Sequence, residues 1–255
     1  MTGSSVPLLE VARLNKHFGG LHAVKDVALT VSRGEIVGVL GPNGAGKTTL
    51  YNLLTGFIAP EAGAHIVFDG HDLVGRAPHR IAKLGISRTF QLCRPFVGLS
   101  VLENVVVGAL GAGPGKVPDL QARAESLLVK VGLAGKERVP VEVLSYGDQR
   151  RLEIARALAA RPMLLLLDEP FAGLGSGEID DLSALIRQVH ADEGLTVVLI
   201  EHKLREFMRL VGRVIALDFG EVIAQGSPEE IVRNPKVIEA YIGRDSIQES
   251  AGHAA

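Results

Sequence analysis

Gly41-Pro42-Asn43-Gly44-Ala45-Gly46-Lys47-Thr48-Thr49 decides how the rest of the chain is to be read. Ahead of it runs Ile36-Val37-Gly38-Val39-Leu40, an apolar stretch that reads as a short buried strand. Behind it, Thr49-Leu50-Tyr51-Asn52-Leu53-Leu54 has a helical pattern. Strand, glycine-rich loop and helix form the context in which a GxxxxGK[ST] pattern carries a mechanism. Gly41, Gly44 and Gly46 let the backbone curl so that successive N–H groups point into one concavity, and the helix adds the positive end of its dipole. Lys47 supplies a point charge for the β- and γ-phosphates, and the Thr48 hydroxyl is of the kind that ligates Mg²⁺. A turn that binds nothing would need neither the Lys-Thr pair nor both flanks. By itself the loop says nucleoside triphosphate and no more.

Working outward, the bounds are wide. A chain of 255 residues suits one large domain or two unequal lobes, and 47% apolar residues allow a full core without covalent staples. Cys93 is the single cysteine, so no internal disulfide framework is possible and a reducing compartment fits. A formal net charge of -2 gives no general attraction to nucleic acid or anionic lipid. No apolar run approaches the ~18–20 residues that span a bilayer. The opening MTGSSVPLLE has no basic start and no long apolar core, so no secretory signal is expected there. The expectation is a cytosolic chain that other proteins hold at a membrane if it works at one.

Val6 to Leu14 reads as an edge strand and Ala28 to Val31 as a second. Between them, in Lys16-His17-Phe18-Gly19-Gly20, Phe18 is expected in a loop. Two readings are open for it, a stacking platform for a purine base and a loop anchor. Further on come a strand at His65 to Phe68, a helix at Pro78 to Leu84 and a strand at Ile86 to Phe90 ending at Gln91. From about Leu92 to Ala160 nothing reads as a strand. Val101 to Leu110 and Ala122 to Val131 are helical, with Leu120, Ala124, Leu127, Leu128 and Val131 on one face, and Gly111 to Gly115 is a flexible connection. The core resumes at Met163 to Leu167, a continuous apolar run of the kind found inside parallel sheets. A helix at Glu178 to Val189, a strand at Thr196 to Ile200, a helix from Lys203, strands at Arg213 to Leu217 and Glu221 to Gln225, and a capped helix from Ser227 follow. The expected division is a nucleotide-binding core of 1–91 plus 160–226, a helical lobe at 92–159, C-terminal helices at 227–243 and a flexible tail at 244–255.

Two further constellations carry chemistry. Leu164 to Leu167 ends in Asp168-Glu169-Pro170, the Walker B pattern, in which Asp168 holds Mg²⁺ directly or through water and Glu169 polarises a water for attack on the γ-phosphate. Leu144-Ser145-Tyr146-Gly147-Asp148-Gln149-Arg150-Arg151 precedes a helix at Leu152 to Ala159. Read plainly, Ser145 is a helix cap and Asp148 imitates a capping box. Read sharply, Ser145 and the Gly147 N–H form a second anion site. One chain cannot easily turn both this site and the phosphate loop on one nucleotide, whereas two chains facing head to tail could.

Walker A at 41–48, LSYGDQRRLEIARAL at 144–158, LLLLDEP at 164–170 and Glu201-His202, in that order, resemble the ATP-binding subunits of ABC transporters over nearly the whole chain. Within that family, LTGF ending at Phe57, SRTFQ at 87–91, VLENVVVGAL at 101–110, the tyrosine in LSYG and VIEAYIG at 237–243 are similar to the branched-chain amino acid importer group, in its larger ATPase subunit. The resemblance implies an α/β fold: a P-loop NTPase (RecA-like) core with a mostly parallel sheet, an N-terminal antiparallel β subdomain and an inserted α-helical subdomain. It implies ATP and Mg²⁺ as ligands. Gly41 to Thr49 would bind the phosphates, with Pro42, Asn43 and Ala45 in the loop, and Phe18 would stack on adenine. Thr48, Gln91 and Asp168 would serve Mg²⁺. Glu169, His202, Gln91 and Lys47 would be catalytic, with His202 as the switch at the γ-phosphate. Ser145, Tyr146, Gly147, Asp148 and Gln149 would act on the ATP of a partner subunit, and Ala172-Gly173-Leu174 would cross the dimer interface. The implied partners are a second ATPase subunit in a homo- or heterodimer, two integral membrane permease subunits docked along about Gln91 to Leu102, and, indirectly, a periplasmic or extracellular solute-binding protein. Nucleic acid is not among them. The implied location is the cytoplasmic face of the plasma membrane.

Two positions depart from the family pattern. Asp148 stands where glutamine is usual, and like charges a few Å apart cost on the order of 1–4 kcal/mol unless the carboxylate turns inward as a cap. Gly175 stands where Asn or Asp is usual, which removes a polar side chain and adds backbone freedom. A lipopolysaccharide-type exporter ATPase shares much of this pattern. A soluble ABC ATPase acting on DNA or ribosomes would usually carry two cassettes, a long coiled coil or basic arms, none of which is visible here. A small-molecule kinase would leave the LSYG stretch unexplained.

Overall fold

The computed structural model describes residues 6–111 and 119–241. The expected connection at 112–115 and the expected tail at 244–255 lie outside the described residues. The chain divides into two compact units. One holds the residues up to Ser32, Ile36–Gly75 and those from Val211 on, and the other Arg33–Glu35 and Arg76–Leu210.

The first unit begins with an antiparallel hairpin, β1 (Leu9–Phe18) and β2 (Leu21–Val31), paired from Leu9 opposite Val31 to Phe18 opposite Leu21. Both strands run further than the sequence pattern suggests. Register shifts beside Leu14 and Lys16, with Arg13 and Asp26 at positive φ, break the alternation on which that pattern depends. β3 (Ile36–Leu40) is buried along its whole length and leads through the glycine loop into α1 (Lys47–Leu54). β4 (His65–Phe68) pairs with β1 and with β5 (His71–Asp72), completing a four-stranded antiparallel sheet.

The second unit carries α2 (Pro78–Leu84), which starts at its proline and stops at Gly85 with φ 110. β6 (Ile86–Arg88) is shorter than expected. The helical stretch follows as α3 (Val101–Leu110), opened by a Ser100–Glu103 capping box, then α4 (Leu120–Lys130) and α5 (Tyr146–Ala159). Ala124, Leu127, Leu128 and Val131 are sealed from solvent, as the helical face predicts. Among the described residues no strand lies between β6 and β7 (Leu164–Asp168). α6 (Ser176–Glu193), β8 (Thr196–Ile200) and α7 (Leu204–Leu210) complete the unit. β6, β7 and β8 are parallel, and β7 and β8 are buried residue by residue, which is why they read as continuous apolar runs rather than alternating ones.

The chain then returns to the first unit. β9 (Arg213–Asp218) pairs parallel with β3, and β10 (Glu221–Gly226) pairs antiparallel with β9. α8 (Pro228–Ile231) opens with the Ser227–Glu230 capping box expected from the sequence, and residues 235–241 are again helical. Among the described residues no helix is long and apolar enough to cross a membrane.

Candidate functional site

In the first unit the loop after β3 is curled as its glycines permit. Gly44 and Gly46 have φ of 81 and 99, the left-handed region that side chains rarely adopt. At Gly46 a Cβ would also run into the Ala23 carbonyl oxygen, whereas at Gly44 the space is open. The Lys47 ammonium donates to the carbonyl oxygens of Gly41 at 2.6 Å and Pro42 at 3.0 Å, so the cation sits within the curl. Ala45 is buried, its N–H donating to the Pro42 oxygen at 3.1 Å, while Asn43 and Thr48 are exposed and Thr49 is half-buried. The start of α1 has no side-chain cap. A loop with its lysine drawn in, an uncapped helix start and an exposed threonine hydroxyl suits a phosphate chain with its cation.

Phe18 is not in a loop. It is the last residue of β1, at the hairpin tip, because the strand runs through the bulges beyond Leu14. The residue is 46% exposed, and the Lys16 ammonium lies 5.6 Å from the ring centroid. An anchoring aromatic would be buried, so the exposure favours a stacking surface.

In the second unit three separate stretches meet at one carboxylate. Glu169 follows β7 with φ 49, outside the region where a glutamate is comfortable. Its N–H is held by the Ile200 oxygen at 3.0 Å and its own carbonyl accepts from Ala172 at 3.1 Å, which over-determines the turn. Oε2 accepts from Gln91 Nε2 at 2.9 Å, and Oε1 lies 2.9 Å from His202 Nε2. The side chain is 17% exposed and that of His202 40%, so the group is reachable by water. Gln91 is exposed.

Asp168, one residue earlier, is buried and faces Arg88. Nη2 of Arg88 donates to Oδ2 at 2.8 Å, the two side chains being 6% and 5% exposed. Among the described residues no group of three His, Cys, Asp or Glu could hold a metal ion alone. The Asp168 carboxylate is by itself an oxygen donor of the kind that Mg²⁺ takes.

Ser145 caps α5, its hydroxyl accepting from the Asp148 N–H at 3.1 Å. The helix begins at Tyr146, earlier than its apolar pattern suggests, because the first turn is polar and the cap rather than burial starts it. Only half of a capping box forms here, since the Asp148 carboxylate pairs with Lys136. Gln149 donates to the Leu144 oxygen at 3.2 Å. A Cβ on Gly147 would meet the Glu178 carboxylate, and a Cβ on Gly173, which has φ 77, would meet the Tyr146 ring. Gly175 is extended and caps α6, with its N–H donating to Glu178 at 2.9 Å. A cavity of about 160 Å³ is lined by Ser145, Gly147, Asp148, Leu174 and Glu178.

Sequence reasoning assigned no role to Glu201, which is 2% exposed. Its carboxylate accepts the N–H groups of Phe171 at 2.5 Å, His202 at 2.9 Å and Lys203 at 3.3 Å. Burial pushes its carboxyl above the usual range, the three N–H donors pull against that, and the nearby Glu169 charge adds to the rise. Lys203 also donates to the Leu174 oxygen at 2.8 Å, so one turn after β8 holds both His202 and the loop after Glu169. The available signal was a charged residue directly behind a wholly apolar strand.

Comparison with known proteins accounts for this arrangement. The family model described as "ABC transporter" matches residues 24–172, and the model "Branched-chain amino acid ATP-binding cassette transporter" matches residues 221–246. The high-affinity branched-chain amino acid transport ATP-binding protein BraF of Pseudomonas aeruginosa is 42% identical over 253 residues, covering 94% of this chain and 99% of that protein. The crystal structure of the ADP conformation of MJ1267, an ATP-binding cassette of an ABC transporter, superposes with a TM-score of 0.84 at 29% identity, covering 94% of this chain and 100% of that one. A dimeric post-hydrolysis structure of the cassette MJ0796 with ADP and Pi gives 0.77 at 26% identity, covering 86% and 98%. The chain belongs to the ABC transporter family as one of its ATP-binding, ATP-hydrolysing cassettes.

Proposed function

We propose that this ATPase drives an importer for branched-chain or related amino acids, working as one of two cassettes beneath two membrane-spanning permease subunits. The substrate class rests on the names of the relatives and on the matched segment at 221–246. The pairing rests on the dimeric cassette among the structural neighbours and on the exposed Ser145 of the signature. The chain would then sit on the cytoplasmic face of the membrane through its permease, without a span of its own among the described residues.

The observation that carries the mechanism is Glu169 bracketed by Gln91 and His202. In this reading the phosphate loop takes the ATP phosphates, Lys47 turns its ammonium to the β- and γ-oxygens, and Phe18 stacks on adenine. Thr48, Asp168 and Gln91 would hold Mg²⁺, which would supply charge neutralisation to the phosphates. Glu169 accepts the proton of the attacking water, Gln91 orients that water, and His202 holds Glu169 and reaches the γ-phosphate. Ser145 and the helix start at Gly147 act on the partner's nucleotide, where N–H groups and the dipole favour an anion. Closing and reopening of the pair transmits work to the permease.

Glu169→Gln is the test. The variant is expected to bind ATP, to dimerise with it and to stop turning over. In cells lacking the gene, wild type restores uptake of labelled leucine and the variant does not. Brisk turnover by the variant removes Glu169 from the proton-accepting role, and unchanged leucine uptake without the gene removes the substrate assignment.

A further inference from the structure

Arg150 is the largest side chain sealed inside the described residues, 2% exposed, and its partners are unusual for a helical arginine. Nη2 donates to the Gln91 carbonyl oxygen at 2.6 Å and to the Tyr146 hydroxyl at 2.7 Å. Nη1 donates to the Phe90 carbonyl oxygen at 3.1 Å and to Glu153 Oε2 at 3.2 Å. Glu153 returns to the same residue, its Oε1 accepting the Phe90 N–H at 2.9 Å, while Cys93 Sγ donates to Oε2 at 3.4 Å. Two side chains on one face of α5 therefore hold the N–H and C=O of residue 90 and the C=O of residue 91. The Gln91 side chain points the other way, to Glu169.

A buried ion pair is a poor way to gain stability, because apolar side chains of the same volume do as well or better. Its value is geometric: a planar guanidinium with several satisfied donors tolerates one arrangement of its acceptors. Tyr146 extends the arrangement toward the helix start, since its ring stands over the Arg150 guanidinium at 5.2 Å and against Gly173 of the loop that follows Glu169.

We infer that Arg150 and Glu153 are positioning residues that make Gln91 and the signature helix one mechanical piece, so that engagement of Ser145 and Gly147 by a partner's nucleotide is felt at this chain's own Glu169. The inference rests on the roles given to Gln91 and the signature under the proposed function. Neither residue touches the reacting atoms. They act through the peptide that carries Gln91.

The experiment is a double-mutant cycle on ATP turnover by the purified full chain, with nucleotide affinity and thermal unfolding measured alongside. Arg150→Gln is expected to lower kcat on the order of tenfold or more, as misplacement of an orienting group does, with ATP affinity within about twofold. Combined with Gln91→Ala it is expected to add nothing, because both changes remove the same contribution. Tyr146→Phe, which keeps the ring, loses less kcat in the same non-additive way. If Arg150→Gln does not fold, Glu153→Ala takes its place in the cycle. Effects that multiply, or a loss in ATP affinity without a loss in kcat, overturn the inference and leave the role of Gln91 standing. A Gln91→Ala variant with wild-type turnover overturns both the role of Gln91 and the inference built on it.

Discussion

The Asp168 carboxylate accepts from the Arg88 guanidinium at 2.8 Å, with both side chains almost wholly out of solvent. Separate stretches supply the two partners, β6 and the end of β7. Removing one partner leaves the other charge buried, which is costlier than removing both. Arg88→Met is expected to lower unfolding stability by about 3–5 kcal/mol, and Arg88→Met with Asp168→Asn by less. Denaturant unfolding of the two single variants and the double variant checks this. Equal losses in Arg88→Met and the double variant would show that the pair is not coupled.

The Asp148 carboxylate in the first turn of α5 is answered by Lys136. Lys136→Met is expected to weaken ATP-driven dimerisation several-fold, through an uncompensated carboxylate near the partner's triphosphate. Asp148→Gln in the same chain is expected to restore it. Because the Lys136 side chain is 41% exposed, the effect shrinks as salt is raised. Sedimentation of the Glu169→Gln background with ATP at two ionic strengths reads both effects.

The two left-handed glycines of the phosphate loop are not equivalent. Gly44→Ala meets only backbone strain of about 1–2 kcal/mol. Gly46→Ala meets that strain and the Ala23 carbonyl oxygen as well. Thermal unfolding and nucleotide binding are expected to be hurt clearly more by Gly46→Ala, and the reverse order would contradict the loop geometry.

Glu201 and Glu153 are both pushed above the usual carboxyl range, chiefly by burial. A folded state that holds a proton more tightly than the unfolded chain is favoured at low pH. Its contribution is full below the unfolded value of about 4.3 and is lost as pH rises through the raised folded value. Glu201→Gln has nothing to titrate, although its amide leaves at least one N–H donor unmatched. The advantage of wild type over Glu201→Gln in thermal midpoint is therefore expected to shrink from pH 4.5 to pH 8. A widening gap would mean that the three N–H donors outweigh burial.

The contiguous patterns were legible along the chain. Lys47, Thr48, Asp168 and Glu169 lie in contiguous patterns whose flanks are apolar strands, and local spacing is enough to read them. Phe18 was misplaced because bulges hide the strand that carries it. Ser145 is the helix cap that the plain reading of LSYG made it, and α5 starts there rather than at Leu152 because a cap, not an apolar stripe, sets it. Arg88, Arg150, Glu153 and Glu201 were passed over because each charge has at least one partner far off in sequence. Arg150 and the Phe90 carbonyl, for example, are separated by 60 positions.

By itself the sequence determined the class of ligand, the reaction and the order of the parts, since a phosphate cradle and an acid behind an apolar strand are made by neighbouring residues. Only the tertiary structure decided how the charges are answered: Gln91 and His202 on Glu169, Arg88 on Asp168, Lys136 on Asp148, Arg150 on the peptide of Gln91. A buried or half-buried charge takes whichever partner folding brings within about 3 Å, and that distance is set by the packing of helices and strands far apart in the chain.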